Sequence, residues 1–228
     1  MVTVSNKSFN SGIKLSFIIF VFIFLIKTPI QAQYQPSGVV KLVEGYGMII
    51  RNGTEINIQK NWTIIKNGDL IRTNVPGKII LTLLGGDDFF IAPDTEIKFK
   101  ENKKIKGLSN IINRNLTLKG RLLAKIRKDF SRPIQIRTPN AIVAVKGTEF
   151  VTEFIQGITN VGTIKGLVSM TSIVHNKTVQ LKEGTMSSVN IDGEVIPPSE
   201  FSGKLMQDFD FAGDKMSEED VGGQKIKL

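Results

Sequence analysis

The sequence predicts an all-β protein, with short strands in a β-helix-like or sandwich-like body and a short C-terminal helix or disordered tail. Three observations carry this expectation. From Gly38 onwards apolar residues recur with period two and are rich in Val, Ile and Thr, which suits strands with one buried face. Turn-forming pairs at Asn52-Gly53, Asn67-Gly68, Pro76-Gly77 and Gly85-Gly86 interrupt that pattern at short intervals. Lys-Gly steps recur at Gly107, Gly120, Gly147 and Gly166, with Glu183-Gly184 in similar company, as if marking corners between strands. A meander of hairpins fits the same steps.

The chain begins with a targeting pattern. Lys7 and Lys14 precede the apolar run Leu15–Ile26, which has signal-peptide length and is short for a membrane span. Cleavage is expected after Ala32, so residues 1–32 read as a signal peptide; an uncleaved N-terminal anchor is the alternative. Either way the rest is expected outside the cytoplasm, in the periplasm or outer cell envelope.

The first strands follow in order. Met48–Arg51 and Thr54–Ile58 flank Asn52-Gly53, a type I′ hairpin signal. Trp62–Ile65, Leu70–Thr73, Lys78–Leu84, Phe89–Ile91 and Ile97–Lys100 read as further strands. Residues 101–115 keep neither alternation nor a helical period and are expected to form a loop. Strands resume over Leu116–Ile126 around Gly120.

The central stretch is Pro133–Phe154. Pro139 biases Thr138 towards extended backbone, which specifies a turn. Ala141–Val145 is apolar at both alternating positions and predicts a strand buried on both faces. Near the C-terminus, Ser199 with Phe201, Leu205, Met206 and Phe209 predicts a short amphipathic helix in a segment, 196–228, that ends in an acidic tail.

Composition excludes several chemistries. With no Cys and a single His among 228 residues, disulfides, the usual zinc sites and Cys-His catalysis are out. No phosphate-cradling or dinucleotide glycine motif occurs. Two acidic groups carry the residue types for further chemistry. Asp87, Asp88, Asp94 and Glu96 would have to converge in a cleft to serve a hydrolase. Asp208, Asp210, Gly213, Asp214 and Glu219 match part of a calcium loop, with Ala212 where a ligand oxygen belongs. No catalytic, cofactor-binding or metal site is expected, and the protein reads as a non-enzyme.

Charge is uneven. The formal net charge is +9, and removing the three Lys of residues 1–32 lowers it to +6. Lys98–Arg137 holds thirteen Lys or Arg against Glu101 and Asp129 alone. Lys103, Lys104, Lys106, Arg121, Arg127 and Lys128 are the candidate basic binding face, for an envelope protein or an anionic envelope polymer or lipid. A solvated face with Lys guarding strand edges remains open beside it. Nucleic acid is not expected as a partner in this compartment, and membrane contact only if the N-terminal segment is retained.

Ile136-Arg137-Thr138-Pro139, Ala141, Val145-Lys146-Gly147-Thr148 and Phe150 resemble the signature of the FecR domain family, with Lys146 where the family has Arg. Gly68-Asp69-Leu70-Ile71-Arg72-Thr73 is similar to its Gly-Asp-x-Ile-x-Thr segment. Lys78–Phe90, Pro93, Gly120-Arg121-Leu122, Lys165–Val168 and Leu181–Gly184 resemble later pieces in the same order. The resemblance spans roughly residues 38 to 190, so residues 33–195 read as a FecR-like β domain. It implies an extracytoplasmic β-body. Its best-known members relay an iron-uptake signal to a cytoplasmic sigma factor. Residues before Leu15 are too few for the sigma-binding part of that relay, so a stand-alone exported FecR-domain protein is the expectation. Thr138, Pro139, Val145, Lys146, Gly147, Thr148 and Phe150 are then structural. The expected function is binding a protein or envelope component, in cell-envelope signalling; a lipid or polysaccharide carrier with an open apolar groove is the alternative.

Overall fold

Why the chain turns where it does follows from its glycines, and the turns sort the strands into two layers. A computed structural model describes residues 36–106, 109–129 and 132–209, without the side chains of residues 104–110. The chain divides into Met1–Tyr34, outside the described residues with the expected signal peptide, and Gln35–Leu228, which carries every element below.

Seventeen strands are described: β1 (Pro36–Glu44), β2 (Gly47–Arg51), β3 (Thr54–Asn57), β4 (Thr63–Lys66), β5 (Leu70–Thr73), β6 (Lys78–Leu83), β7 (Asp88–Ile91), β8 (Glu96–Lys106), β9 (Ser109–Lys125), β10 (Ile134–Arg137), β11 (Ala141–Val145), β12 (Glu149–Ile155), β13 (Ile158–Lys165), β14 (Leu167–Ser172), β15 (Thr178–Lys182), β16 (Thr185–Val189) and β17 (Ser199–Glu200). The first sheet runs β4-β1-β6-β7-β9-β12-β13-β16-β17. The second runs β3-β2-β5-β8-β9-β10-β11-β14-β15. All these pairs are antiparallel except β9 with β10. The fold is therefore all-β and sandwich-like. Val40, Leu81 and Phe89 of the first sheet meet Ile49, Ile97 and Val143 of the second in one core.

β9 belongs to both sheets. Its first part, to Lys119, pairs with β8; from Gly120 it pairs with β12. Gly120 has φ +103°, and a Cβ there would lie 2.4 Å from Thr95 Oγ1 and 2.7 Å from Asp94 O. Gly147, Gly166 and Gly184 stand at three other passages from one sheet to the other, between β11 and β12, β13 and β14, and β15 and β16. The steps at Gly120, Gly147, Gly166 and Gly184 are thus corners, Gly107 lies outside the described residues, and the hairpins of the meander alternate between layers. Asn52-Gly53, both at positive φ, closes the β2–β3 hairpin as expected.

At Gly147 the φ is +65°, and an added Cβ would come within 2.8 Å of Lys128 Cβ. A β-branched residue is strained there whatever the space. Gly147→Val should lose about 2–3 kcal/mol of stability in urea unfolding. An unchanged midpoint would show that this corner tolerates a side chain.

Three local expectations change. Residues 101–106 and 109–115 form paired strand, not loop: β8 and β9 stay in register out to Lys106 opposite Ser109. The outer part of this ribbon has no second layer to bury one face, so alternation fades while backbone pairing persists. β11 is not buried on both faces. Ile142 and Ala144 lie half-buried on the outer face of the second sheet, where no described element covers them. The expected helix from Ser199 is instead a two-residue strand followed by a 3-10 turn, Gly203–Met206, capped by Ser202. Its apolar residues take their positions from the sheet below. Leu205 and Phe209 bury against Ile80, Phe90, Leu123 and Val151 on the outer face of the first sheet, and Phe201 packs on Gly162. It is the first sheet, then, that has apolar residues on both faces.

Candidate docking face

The motif residues hold corners. Asp69, buried at the β4–β5 turn, accepts from Lys66 N at 2.8 Å and takes both Arg51 Nε at 2.9 Å and Nη2 at 2.7 Å. Thr73 Oγ1 donates to Ala92 O at 2.8 Å and accepts from Thr95 N at 2.9 Å, which joins β5 to the start of β8. Thr138 Oγ1 accepts from Ala141 N at 3.0 Å and meets Thr159 Oγ1 at 2.7 Å. Beside it Asn140 Nδ2 donates to the carbonyls of Gly157, Val189 and Asn190 at 2.9–3.1 Å. One amide thus ties the Thr138-Pro139 turn to the β12–β13 turn and the end of β16. Val145, Thr148 and Phe150 are buried, while Pro139 and Lys146 are exposed. Buried polar groups tend to find partners, and Asp69, Thr73, Thr138 and Asn140 find them in neighbouring backbone and side chains, whereas the Thr148 hydroxyl has none. That use is structural.

What faces solvent differs between the layers. The C-terminal segment covers part of the first sheet. On the second sheet, Lys98, Lys100, Thr117, Lys119, Gln135 and Arg137 are all exposed. They alternate with the buried Ile97, Phe99, Leu116, Leu118, Ile134 and Ile136, so their side chains share the outer face. Register brings them together. Thr117 lies opposite Lys98 on β8 and opposite Arg137 on β10, which places those two cations about 10 Å apart at ordinary strand spacing. Asn115 likewise stands between Lys100 and Gln135. Among the described residues the side chains of Lys98, Lys100, Lys119 and Arg137 make no ion pair or hydrogen bond. The nearest acid on this face, Glu96 opposite Lys119, is held by Arg72 at 2.6 Å.

The six predicted cations are scattered by comparison. Lys103 is exposed on β8 but alternates to the side opposite Lys98 and Lys100. Lys104 and Lys106 also lie on β8, their side chains outside the described set. Arg121, just past the Gly120 crossing, lies 3.2 Å from Glu153 without hydrogen-bond alignment and pairs with Asp208. Arg127 and Lys128 follow the far end of β9, where they line a shallow depression of about 300 Å³ with Lys125, Lys165, Gly147 and Thr148. Period-two alternation in Ile97–Lys100, Leu116–Lys119 and Ile134–Arg137 was the signal that marks the exposed set.

The acids do not converge. Asp87 is buried in an ion pair with Arg114 and accepts from Arg127 N at 2.7 Å. Asp94 sits beyond the other end of β7, with φ +52°, in an open depression of about 660 Å³. Asp88 accepts from Thr82 Oγ1 at 2.8 Å. Burial raises its carboxyl above the ordinary carboxylate range, against the opposing pull of Thr82, Arg127 and Lys125. A group raised in the folded state favours folding most when protonated. That contribution is complete below its unfolded pKa and is lost as pH rises through the folded one. Asp88→Asn should therefore raise the melting temperature at pH 7, and the gain should vanish near about pH 3.5. An equal difference at both pH values would contradict this.

No group of three or more His, Asp or Glu suited to a metal occurs among the described residues. Of the partial calcium pattern, Asp208 engages Arg121, and Asp210, Gly213, Asp214 and Glu219 lie outside the described residues. Nor does the interlayer core open as a groove: Val40, Ile49, Phe89, Phe99, Phe150 and Val168 are fully buried. Charged side chains, Arg72, Asp94, Glu96, Lys119, Arg121 and Asp208, are prominent around the larger depression.

The arrangement is a two-layer β protein in which Asp69, Thr73 and Thr138 tie corners together and four exposed cations share one sheet face. Residues 69–169 match the family model described as FecR protein. That stretch reaches from the buried Asp69 to Ser169 on β14 and includes the Gly120 crossing, the Thr138-Pro139 turn and Lys98, Lys100, Lys119 and Arg137. No curated protein matches the chain. Two solved structures from Parabacteroides distasonis, each described as a candidate anti-sigma factor, are similar to it. One is 20% identical with a TM-score of 0.49, and the other 19% identical with a TM-score of 0.48. Each match covers 59% of this chain and 61% of the solved one, so this chain spans about three fifths of their length.

Proposed function

We propose that this is a non-enzymatic, exported FecR-domain protein of the cell envelope that binds an anionic envelope protein or polymer through the outer face of its second sheet. The observation that carries the reading is the group of four exposed, unpaired cations, Lys98, Lys100, Lys119 and Arg137, on three adjacent strands. Exposed charge with no internal partner attracts a complementary surface and steers its approach. The signalling role rests on the FecR domain, and the periplasmic or outer-envelope location rests on the N-terminal targeting pattern. Capture of a protein signals partner binding; capture of glycan or lipid signals envelope attachment.

The test is Lys98→Glu/Lys100→Glu/Arg137→Glu in a native-envelope pull-down. These side chains make no internal contact, so stability should stay within about 0.5 kcal/mol per site. Three lost pairs at about 0.5–1 kcal/mol each predict retention weaker by roughly tenfold to a hundredfold. Undiminished retention at equal folding would remove this face from the reading.

A further inference from the structure

The exposed face of the second sheet does not end at Arg137. Ser169 and Thr171 alternate with the buried Val168, Met170 and Ser172. Thr178 and Gln180 alternate with Val179 and Leu181, which pack on the core. The side chains of all four polar residues therefore share the outer face with the cations. Register sets them in two rows across the strands. Arg137 lies opposite Ile142, Ile142 opposite Thr171 and Thr171 opposite Thr178. In the neighbouring row Gln135 lies opposite Ala144, Ala144 opposite Ser169 and Ser169 opposite Gln180. Hydroxyls and amides orient one another at the far end. Thr171 Oγ1 meets Thr178 Oγ1 at 2.9 Å, and Gln180 Nε2 donates to Ser169 Oγ at 3.2 Å. The side-chain amides of Asn115 and Gln135 have no partner among the described residues. No aromatic side chain stands in either row.

We propose that this face takes an extended acidic polysaccharide, a chain of sugar rings bearing carboxylates. Its charges meet Lys98, Lys100, Lys119 and Arg137, and its hydroxyls meet the two rows. The inference rests on the proposed function and narrows it to one kind of partner. Three features set a glycan above a protein. Protein interfaces draw most of their energy from buried aromatic and Arg anchors in packed pockets, and these open rows hold no aromatic. Hydroxyls and amides both donate and accept, which suits sugar hydroxyls, while Ile142 and Ala144 give apolar ground for the C–H face of a ring. Shape agrees as well. Adjacent strands rotate by about 20°, so the rows turn through roughly 100° over six strands. A flexible chain can follow that turn across a width of about 24 Å, where a rigid partner meets only a few strands.

Binding of the whole chain to polygalacturonate and to polyglutamate, in calcium-free buffer at equal salt, tests this. Both polymers carry carboxylates, and only the first carries sugar hydroxyls. Polygalacturonate should bind about tenfold tighter. Thr171→Val/Gln180→Leu removes donors and acceptors without touching charge. It should weaken polygalacturonate binding roughly fivefold to tenfold and leave polyglutamate binding unchanged. Ser169→Ala/Thr178→Val gives the same readout should the first pair lower the melting temperature. Equal affinity for the two polymers, or no loss in folded variants, overturns the proposal and leaves a surface that reads charge alone. If polygalacturonate is preferred and the variants lose that preference, yet the envelope pull-down ignores charge reversal, the ligand class stands and the envelope-partner reading fails.

Discussion

Asp87→Ala should lose about 3–5 kcal/mol of stability, the largest effect expected from any single polar residue here. Asp87 and Arg114 are both buried, with Arg114 only 1% exposed. Arg114 Nη1 pairs with Asp87 Oδ2, Nη2 donates to Arg132 O, and Nε has no partner. Removing the carboxylate leaves a guanidinium in the core with one carbonyl to meet its charge. It also strips the acceptor from Arg127 N. Because taking a charge out of water costs several kcal/mol, the loss comes mainly from the stranded cation rather than from the missing attraction. The control follows from that reasoning. Asp87→Ala combined with Arg114→Met should recover most of the loss, since an apolar pair carries no desolvation cost. Urea unfolding of the two variants measures both. A loss below about 1 kcal/mol for Asp87→Ala would show that water reaches the pair.

Gly120→Val should lose about 3–5 kcal/mol. Two costs add. The φ of +103° lies where L side chains rarely go, beyond even the left-handed region occupied by Gly147. The new Cβ would also approach Asp94 O at 2.7 Å and Thr95 Cα at 2.7 Å, backbone atoms that cannot swing aside. Thr95 cannot yield without losing its own bonds, because its N–H donates to Thr73 Oγ1 and its Oγ1 accepts from Arg121 N at 3.0 Å. The substitution therefore disturbs the strand crossing and the Thr73 corner together. A shift in melting temperature of roughly 6–20 °C corresponds to that loss for a domain of this size. A variant with native stability would mean the crossing can be made by other backbone torsions. By contrast, substitutions at Lys98 or Arg137 should leave the fold intact and change binding alone.

Much of the local structure was legible because it obeys local physics. Alternation assigned Ile97–Lys100 and Lys78–Leu84 to strands, since side chains on a strand must face opposite ways. Asn52-Gly53 named its own turn, and the Lys-Gly steps named corners, because positive φ is a property of one residue and its neighbours. The misreadings share a cause. The ribbon beyond Lys100 pairs without a described second layer, β11 is covered on one side only, and Phe201, Leu205 and Phe209 follow the first sheet rather than a helix. In each case the deciding contact lies far away in the chain.

The candidate face divides along the same line. That Lys98, Lys100, Lys119 and Arg137 are exposed follows from their places between buried Ile, Phe and Leu, and could be stated from the chain alone. That they form one surface could not. It depends on β9 pairing antiparallel with β8 and parallel with β10, a choice made by long-range packing of the core. The same choice sends Arg114 inward to an aspartate 27 residues away. Periodicity tells each side chain which way to point, because that is a matter of two bond rotations per residue. Which cations become neighbours is settled only when the strands are laid side by side.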